Sequence, residues 1–77
     1  MKGSKIMERF INFVANILEV DVSEISLYTE YSEFDAWDSL KMMRLIMEIE
    51  EEYGCIIPIE NTARIKTLND LYKYTIE

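Results

Sequence analysis

Between Lys5 and Leu18 the apolar residues fall at Ile6, Met7, Phe10, Ile11, Phe13, Val14, Ile17 and Leu18, with Glu8, Arg9, Asn12 and Asn16 between them. At 3.6 residues per turn the apolar set forms one broad arc, so the spacing predicts an amphipathic helix wide enough to pack against two neighbours. No such period runs through Val20 to Trp37, where Asp21, Ser23, Ser26, Thr29 and Ser32 separate Val22, Ile25, Leu27 and Phe34. This stretch is expected to be a long loop, with a helical turn after Ser23 and its apolar residues tied down across the bundle. Loops above about 12–15 residues in compact domains are usually functional or docked by their own side chains.

A second helical pattern spans Ser39 to Tyr53, and its wheel carries two stripes. Met42, Leu45, Ile46, Ile49 and Tyr53 form a core face, whereas Leu40, Met43 and Met47 point largely away from it. A helix on the outside of a small bundle has no reason to keep that second stripe apolar unless something covers it. Either the loop ahead of Ser39 folds over it, or a partner protein does, and methionines suit adaptable contacts. Glu50, Glu51 and Glu52 close this helix, and Gly54 tolerates the left-handed stop. An acidic run at a helix C-terminus opposes the dipole, which is expected for a solvated face or for charge that another molecule uses.

Cys55 to Ile59 is expected to be extended, because residues before Pro58 disfavour the helical region. Glu60 to Ile65 has the length of one short helical turn. Thr67, Leu68, Asn69 and Asp70 fit a capping box with Thr67 as N-cap, and Leu68, Leu71, Tyr72, Thr75 and Ile76 share one face of a last short helix. The chain therefore reads as one all-α domain over residues 1–77.

Composition narrows the possible roles. Fifteen acidic and eight basic residues among seventy-seven give a net charge of −7, which repels nucleic acid and anionic membrane and favours partners with basic surfaces. No apolar run approaches the length of a membrane span or of a signal peptide, so a cytoplasmic location is expected. Histidine is absent and Cys55 is the only cysteine, which excludes a disulfide within the chain and a zinc site of the usual kind. Cys55 has no basic neighbour in sequence to activate it. Ser39 lacks the histidine that activates a nucleophilic serine, and Asp35 and Asp38 are not followed by the glycine and glutamate of a calcium loop. Intrinsic catalysis is not expected.

What stands out is Asp38-Ser39-Leu40 at the start of the second helix. There the serine hydroxyl lies beside backbone N–H groups that have no partner within the helix, a suitable place for a phosphate.

Taken with Leu45, Ile49, Glu50, Glu52, Tyr53, Ile57-Pro58, Ile65, Thr67 and Leu68, the triplet resembles the acyl carrier protein family of phosphopantetheine-binding carriers. The resemblance implies an all-α, small four-helix bundle of three longer helices and one short one, with a long loop between the first and second. It implies that a phosphopantetheinyl transferase attaches 4′-phosphopantetheine from coenzyme A to Ser39 in a magnesium-dependent reaction, with Asp38 capping the helix and helping the transferase to engage. It also implies that Leu40, Lys41, Met43, Arg44, Met47 and Glu48 contact acyl-loading, synthase or transferase enzymes, the carrier acting as a monomer.

Relative to carriers of fatty acid synthesis, Ala36 stands where glycine is common, and Lys41 and Arg44 bring positive charge to an acidic stretch. Trp37-Asp38-Ser39 is similar to the form in carriers of specialised pathways. The implied cargo is thus a fatty acyl or polyketide chain, or alternatively an aminoacyl or peptidyl group of a dedicated pathway. A reading from another class is an acidic helical adaptor that uses the Leu40, Met43 and Met47 stripe with no prosthetic group.

Overall fold

The computed structural model describes residues 2–76. Three α-helices, α1 (Lys2–Leu18), α2 (Ser39–Tyr53) and α3 (Leu68–Ile76), are joined by 3₁₀ turns at Val22–Glu24 and Tyr31–Glu33 and by a short 3₁₀ helix at Ile59–Arg64. This is the expected all-α bundle of three longer helices and one short one. The only β pairing among the described residues is an isolated bridge. None of the described helices is long and apolar enough to cross a membrane.

The periodic positions form the core. Phe10, Val14, Ile17 and Leu18 of α1 are buried against Met42, Leu45 and Ile49 of α2 and Leu68 and Leu71 of α3. The predicted apolar arc of α1 is wider than the face that its neighbours cover, since Ile6 and Met7 remain exposed. Tyr53 and Tyr72 set their rings against Phe10 with centroids 6.1 and 5.1 Å away, tying the end of α2 and the middle of α3 to α1.

α1 does not end on a glycine. Glu19 takes φ +60°, with its N–H donating to Asn16 O at 3.3 Å and the Val20 N–H donating to Ala15 O at 3.1 Å. These are the paired bonds of a Schellman stop, built on a residue whose Cβ opposes the left-handed conformation. α2 also ends on a left-handed residue, Gly54 at φ +66°, but through the single bond of the αL motif, its N–H donating to Glu50 O at 2.9 Å. A Cβ there would meet nothing within 4 Å, so backbone conformation alone calls for glycine.

The long connection from Val20 to Asp38 is ordered by its own polar groups and docked by its apolar ones. Asp21 caps the turn at Val22–Glu24, accepting from the Ser23 N–H, and Glu24 reciprocates by accepting from the Asp21 N–H. Ile25 and Trp37 are buried in the core, and Leu27, Tyr31 and Phe34 pack at its edge.

The connection also reaches the start of α3. The Leu68 and Asn69 N–H groups donate to Thr29 O and Leu27 O at 3.2 and 2.9 Å, and the Tyr31 N–H donates to Lys66 O at 2.8 Å. Loop carbonyls thereby satisfy first-turn donors that a capping side chain would otherwise serve. The expected capping box at Thr67 is consequently half present. Asp70 Oδ2 accepts from the Lys66 and Thr67 N–H groups at 2.8 and 3.1 Å, but the Asp70 N–H donates to the Thr67 carbonyl rather than to its hydroxyl.

Candidate functional site

α2 starts where the sequence places it. Asp38 is the N-cap, in extended conformation, and its Oδ1 accepts from the Lys41 N–H at 2.9 Å. The N–H groups of Ser39 and Leu40 have no partner among the described hydrogen bonds, and both residues are exposed. Immediately before the cap, Trp37 is 1% exposed and meets the Tyr31 ring edge-on, 5.3 Å between centroids. Its indole Nε1 is buried with no hydrogen-bond partner, so apolar packing alone holds the indole. Trp37 is thus the anchor that fixes where the polar approach stops and the helix begins, a role its position in sequence does not reveal.

Beside Ser39 lies an open recess of about 320 Å³ lined by Tyr31, Ser39, Met42, Met43, Thr62, Ala63 and Ile65. A larger groove of about 690 Å³ adjoins it through Met43 and Thr62 and runs between α2 and the Ile59–Arg64 helix. Met43, Ile46, Met47, Ile56, Ile57, Pro58 and Ile59 give it an apolar wall. Sequence reasoning missed the far wall of this groove. Its one signal is the concentration of isoleucines around Pro58, of which Ile56 and Ile59 lie in the open, 80% and 87% exposed.

The second stripe of α2 is uncovered: Leu40, Met43 and Met47 are 77%, 62% and 66% exposed. The loop ahead of Ser39 does not fold over them: Ile25 and Trp37 are buried in the core, and Leu27, Tyr31 and Phe34 pack at its edge. Arg44 Nε donates to Glu48 Oε2 at 2.7 Å one helical turn on, so both expected partner-contact residues lie on the outer surface as an internally neutralised pair.

Lys41 is placed differently. Its ammonium donates to Ile17 O at 3.1 Å and lies 3.4 Å from Glu19 Oε2, reaching the strained end of α1. The charge that Lys41 and Arg44 add to the sequence is thus met by carboxylates of the same chain. The acidic run is likewise partly spent inside the fold. Glu50 Oε2 accepts the Ile57 N–H at 2.8 Å, setting the extended segment that walls the groove, and Glu52 pairs with Arg9 at 2.8 Å.

The described titratable groups offer no activated nucleophile. Burial pushes the half-buried Cys55 thiol above its ordinary value, and the nearby Glu50 charge adds to this. For Tyr53, burial is again the chief cause of a raised pKa. Ser39 is thus left accessible at the start of α2, with the recess and the groove opening beside it.

Residues 8–75 match the family model described as a phosphopantetheine attachment site. Proteins named acyl carrier protein are similar over nearly the full length. The one from Rubrobacter xylanophilus is 34% identical over all of this chain and 95% of its own. That from Rickettsia massiliae is 40% identical over 95% of this chain and 85% of its own, and that from Thermosynechococcus vestitus is 35% identical over 96% and 91%.

Proposed function

Given that this chain belongs to the phosphopantetheine attachment-site family of carrier proteins, we propose that Ser39 is the residue that receives the arm. The chain is an acyl carrier and not an enzyme, and its prosthetic group, when bound, supplies a thiol that carries acyl groups as thioesters. The residues present suit that group. Ser39 is exposed at a helix start, two first-turn N–H groups stand free for a phosphodiester, and a recess opens directly beside it. Asp38 fixes that helix start by capping it, and carries a carboxylate beside Ser39 for a metal-dependent transferase to meet.

The groove beyond the recess favours an alkyl or other apolar cargo over a charged aminoacyl group, because Met43, Ile46, Met47, Ile57 and Ile59 offer it mostly hydrocarbon and its one carboxylate, Glu50, accepts the Ile57 N–H. For partner enzymes the exposed Leu40, Met43 and Met47 supply the contact, with Arg44 and Glu48 as the polar rim. Lys41 contributes chiefly by holding the end of α1.

The observation that carries this proposal is the exposed, capped Ser39 at the mouth of an apolar groove. Incubation with coenzyme A, magnesium and a broad-specificity phosphopantetheinyl transferase is expected to raise the intact mass by one phosphopantetheine, and Ser39→Ala to abolish the gain. Modification of a Ser39→Ala protein that keeps its helical circular dichroism would refute the assignment. Met43→Glu, at a residue on the open face of α2, is expected to raise the KM of partner enzymes without unfolding the carrier.

A further inference from the structure

The first fifty-nine residues hold twelve acidic and five basic side chains, which is the whole of the net charge, whereas the last eighteen hold three of each. The last eighteen residues thus add nothing to the net charge. The Ile59–Arg64 helix and α3 form an open pocket of about 400 Å³, lined by Asn61, Arg64, Ile65, Asp70, Lys73 and Tyr74. It shares only Ile65 with the recess beside Ser39.

Its two cations are not held in ion pairs: Arg9, Lys41 and Arg44 each lie against a carboxylate, but Arg64 and Lys73 make no ion pair among the described residues. The single carboxylate in the lining, Asp70, is engaged by the Lys66 and Thr67 N–H groups through Oδ2. Asn61 Nδ2 donates to Tyr74 Oη at 3.0 Å, which leaves the phenolic proton to be donated elsewhere. A guanidinium, an ammonium and a phenol thus line one pocket with a single carboxylate, whose charge the nearby Lys73 offsets, a set that leaves Arg64 and Tyr74 to meet the oxygens of an anion.

We propose that this pocket binds a small oxyanion, a carboxylate or phosphate group, supplied either by a free metabolite or by an acidic side chain of a bound protein. The site stands apart from Ser39 and does not depend on its modification. Both cations are exposed, so water and salt weaken the binding.

The test is a ¹H–¹⁵N correlation titration of the full chain at constant ionic strength, one arm with inorganic phosphate and the other with a short glutamate-rich peptide. Saturable shifts confined to Asn61, Arg64, Lys73 and Tyr74 in either arm are expected. They should weaken at least tenfold in Arg64→Met/Lys73→Met, and less in Tyr74→Phe. Saturation with phosphate alone assigns the site to free anions, and saturation with the peptide assigns it to protein carboxylates. Shifts that stay linear and spread over the surface, or that persist unchanged in a folded double variant, would overturn the proposal.

Discussion

Replacing Lys41 with methionine should loosen the junction between α1 and the helix that carries Ser39, and the loss can be worked from two contacts. A hydrogen bond to a charged group contributes about 1.5–3 kcal/mol. The Lys41 side chain is one-quarter exposed while it donates to Ile17 O at 3.1 Å, so Lys41→Met should cost an amount at the lower end, about 1.5 kcal/mol. The contact with Glu19, at 3.4 Å and with a Glu19 side chain 73% exposed, belongs to the surface pairs that add about 0–1 kcal/mol. Glu19→Gln should therefore change little.

Glu19→Gly should do the reverse of Lys41→Met. A left-handed conformation costs an ordinary L-residue roughly 1–2 kcal/mol. Glycine gives back roughly 0.5–1 kcal/mol of this through its greater freedom when unfolded. The net expectation is a gain of about 0.5–1 kcal/mol at φ +60°. Urea unfolding followed by helical circular dichroism measures all three variants. In a domain of this size about 1 kcal/mol corresponds to roughly 4–8 °C in Tm, so thermal melts should separate them clearly. An unchanged midpoint for Lys41→Met, or a lower one for Glu19→Gly, would show that Lys41 is not the clamp of a strained helix end.

Two further outcomes follow from the titratable groups. Burial raises the Asp70 pKa, but the Lys66 and Thr67 N–H groups, with the Lys73 charge, outweigh it and hold the carboxylate below its ordinary value. A depressed folded-state pKa contributes stability above the unfolded value and loses it as pH falls through the folded one. Asp70→Asn should accordingly destabilise at pH 7, by an amount that shrinks progressively as pH falls below the ordinary aspartate value of about 3.9; a pH-independent difference in urea midpoints would contradict this. Cys55, raised by burial and with its Sγ 3.9 Å from Ile49 O, should react with a thiol reagent at pH 8 far more slowly in the native protein than in urea. Equal rates in the two states would show that the thiol is freely exposed.

Much of the fold is legible from periodicity, because burial follows the helical wheel wherever a helix packs on one side. Phe10, Val14, Leu45, Ile49, Leu68 and Leu71 are buried from three separate patterns. The candidate site is legible in part. Its serine announces itself by a cap residue and a helix start, and the exposed stripe by apolar residues on the wrong face. The groove is not, since its walls come from α2 and from the Ile56–Ile59 segment, which no local period connects. Charge was the poorest guide. Lys41 and Arg44 read as surface cations on a wheel, yet long flexible side chains take their partners in space, and both found carboxylates of their own chain.

By itself the sequence determined the helices, their inward faces, the glycine stop of α2 and the placing of Ser39 at a helix start, because each depends on neighbours within one or two turns. Only the tertiary structure decided what the long connection does. Thr29 O and Leu27 O serve the first donors of α3, and Trp37, drawn into the core, sets the point at which Asp38 caps α2. It likewise decided that Lys41 faces α1 while Met43 and Met47 face outward beside an apolar groove. Such outcomes rest on contacts between residues far apart in the chain, and those exist only once the bundle has closed.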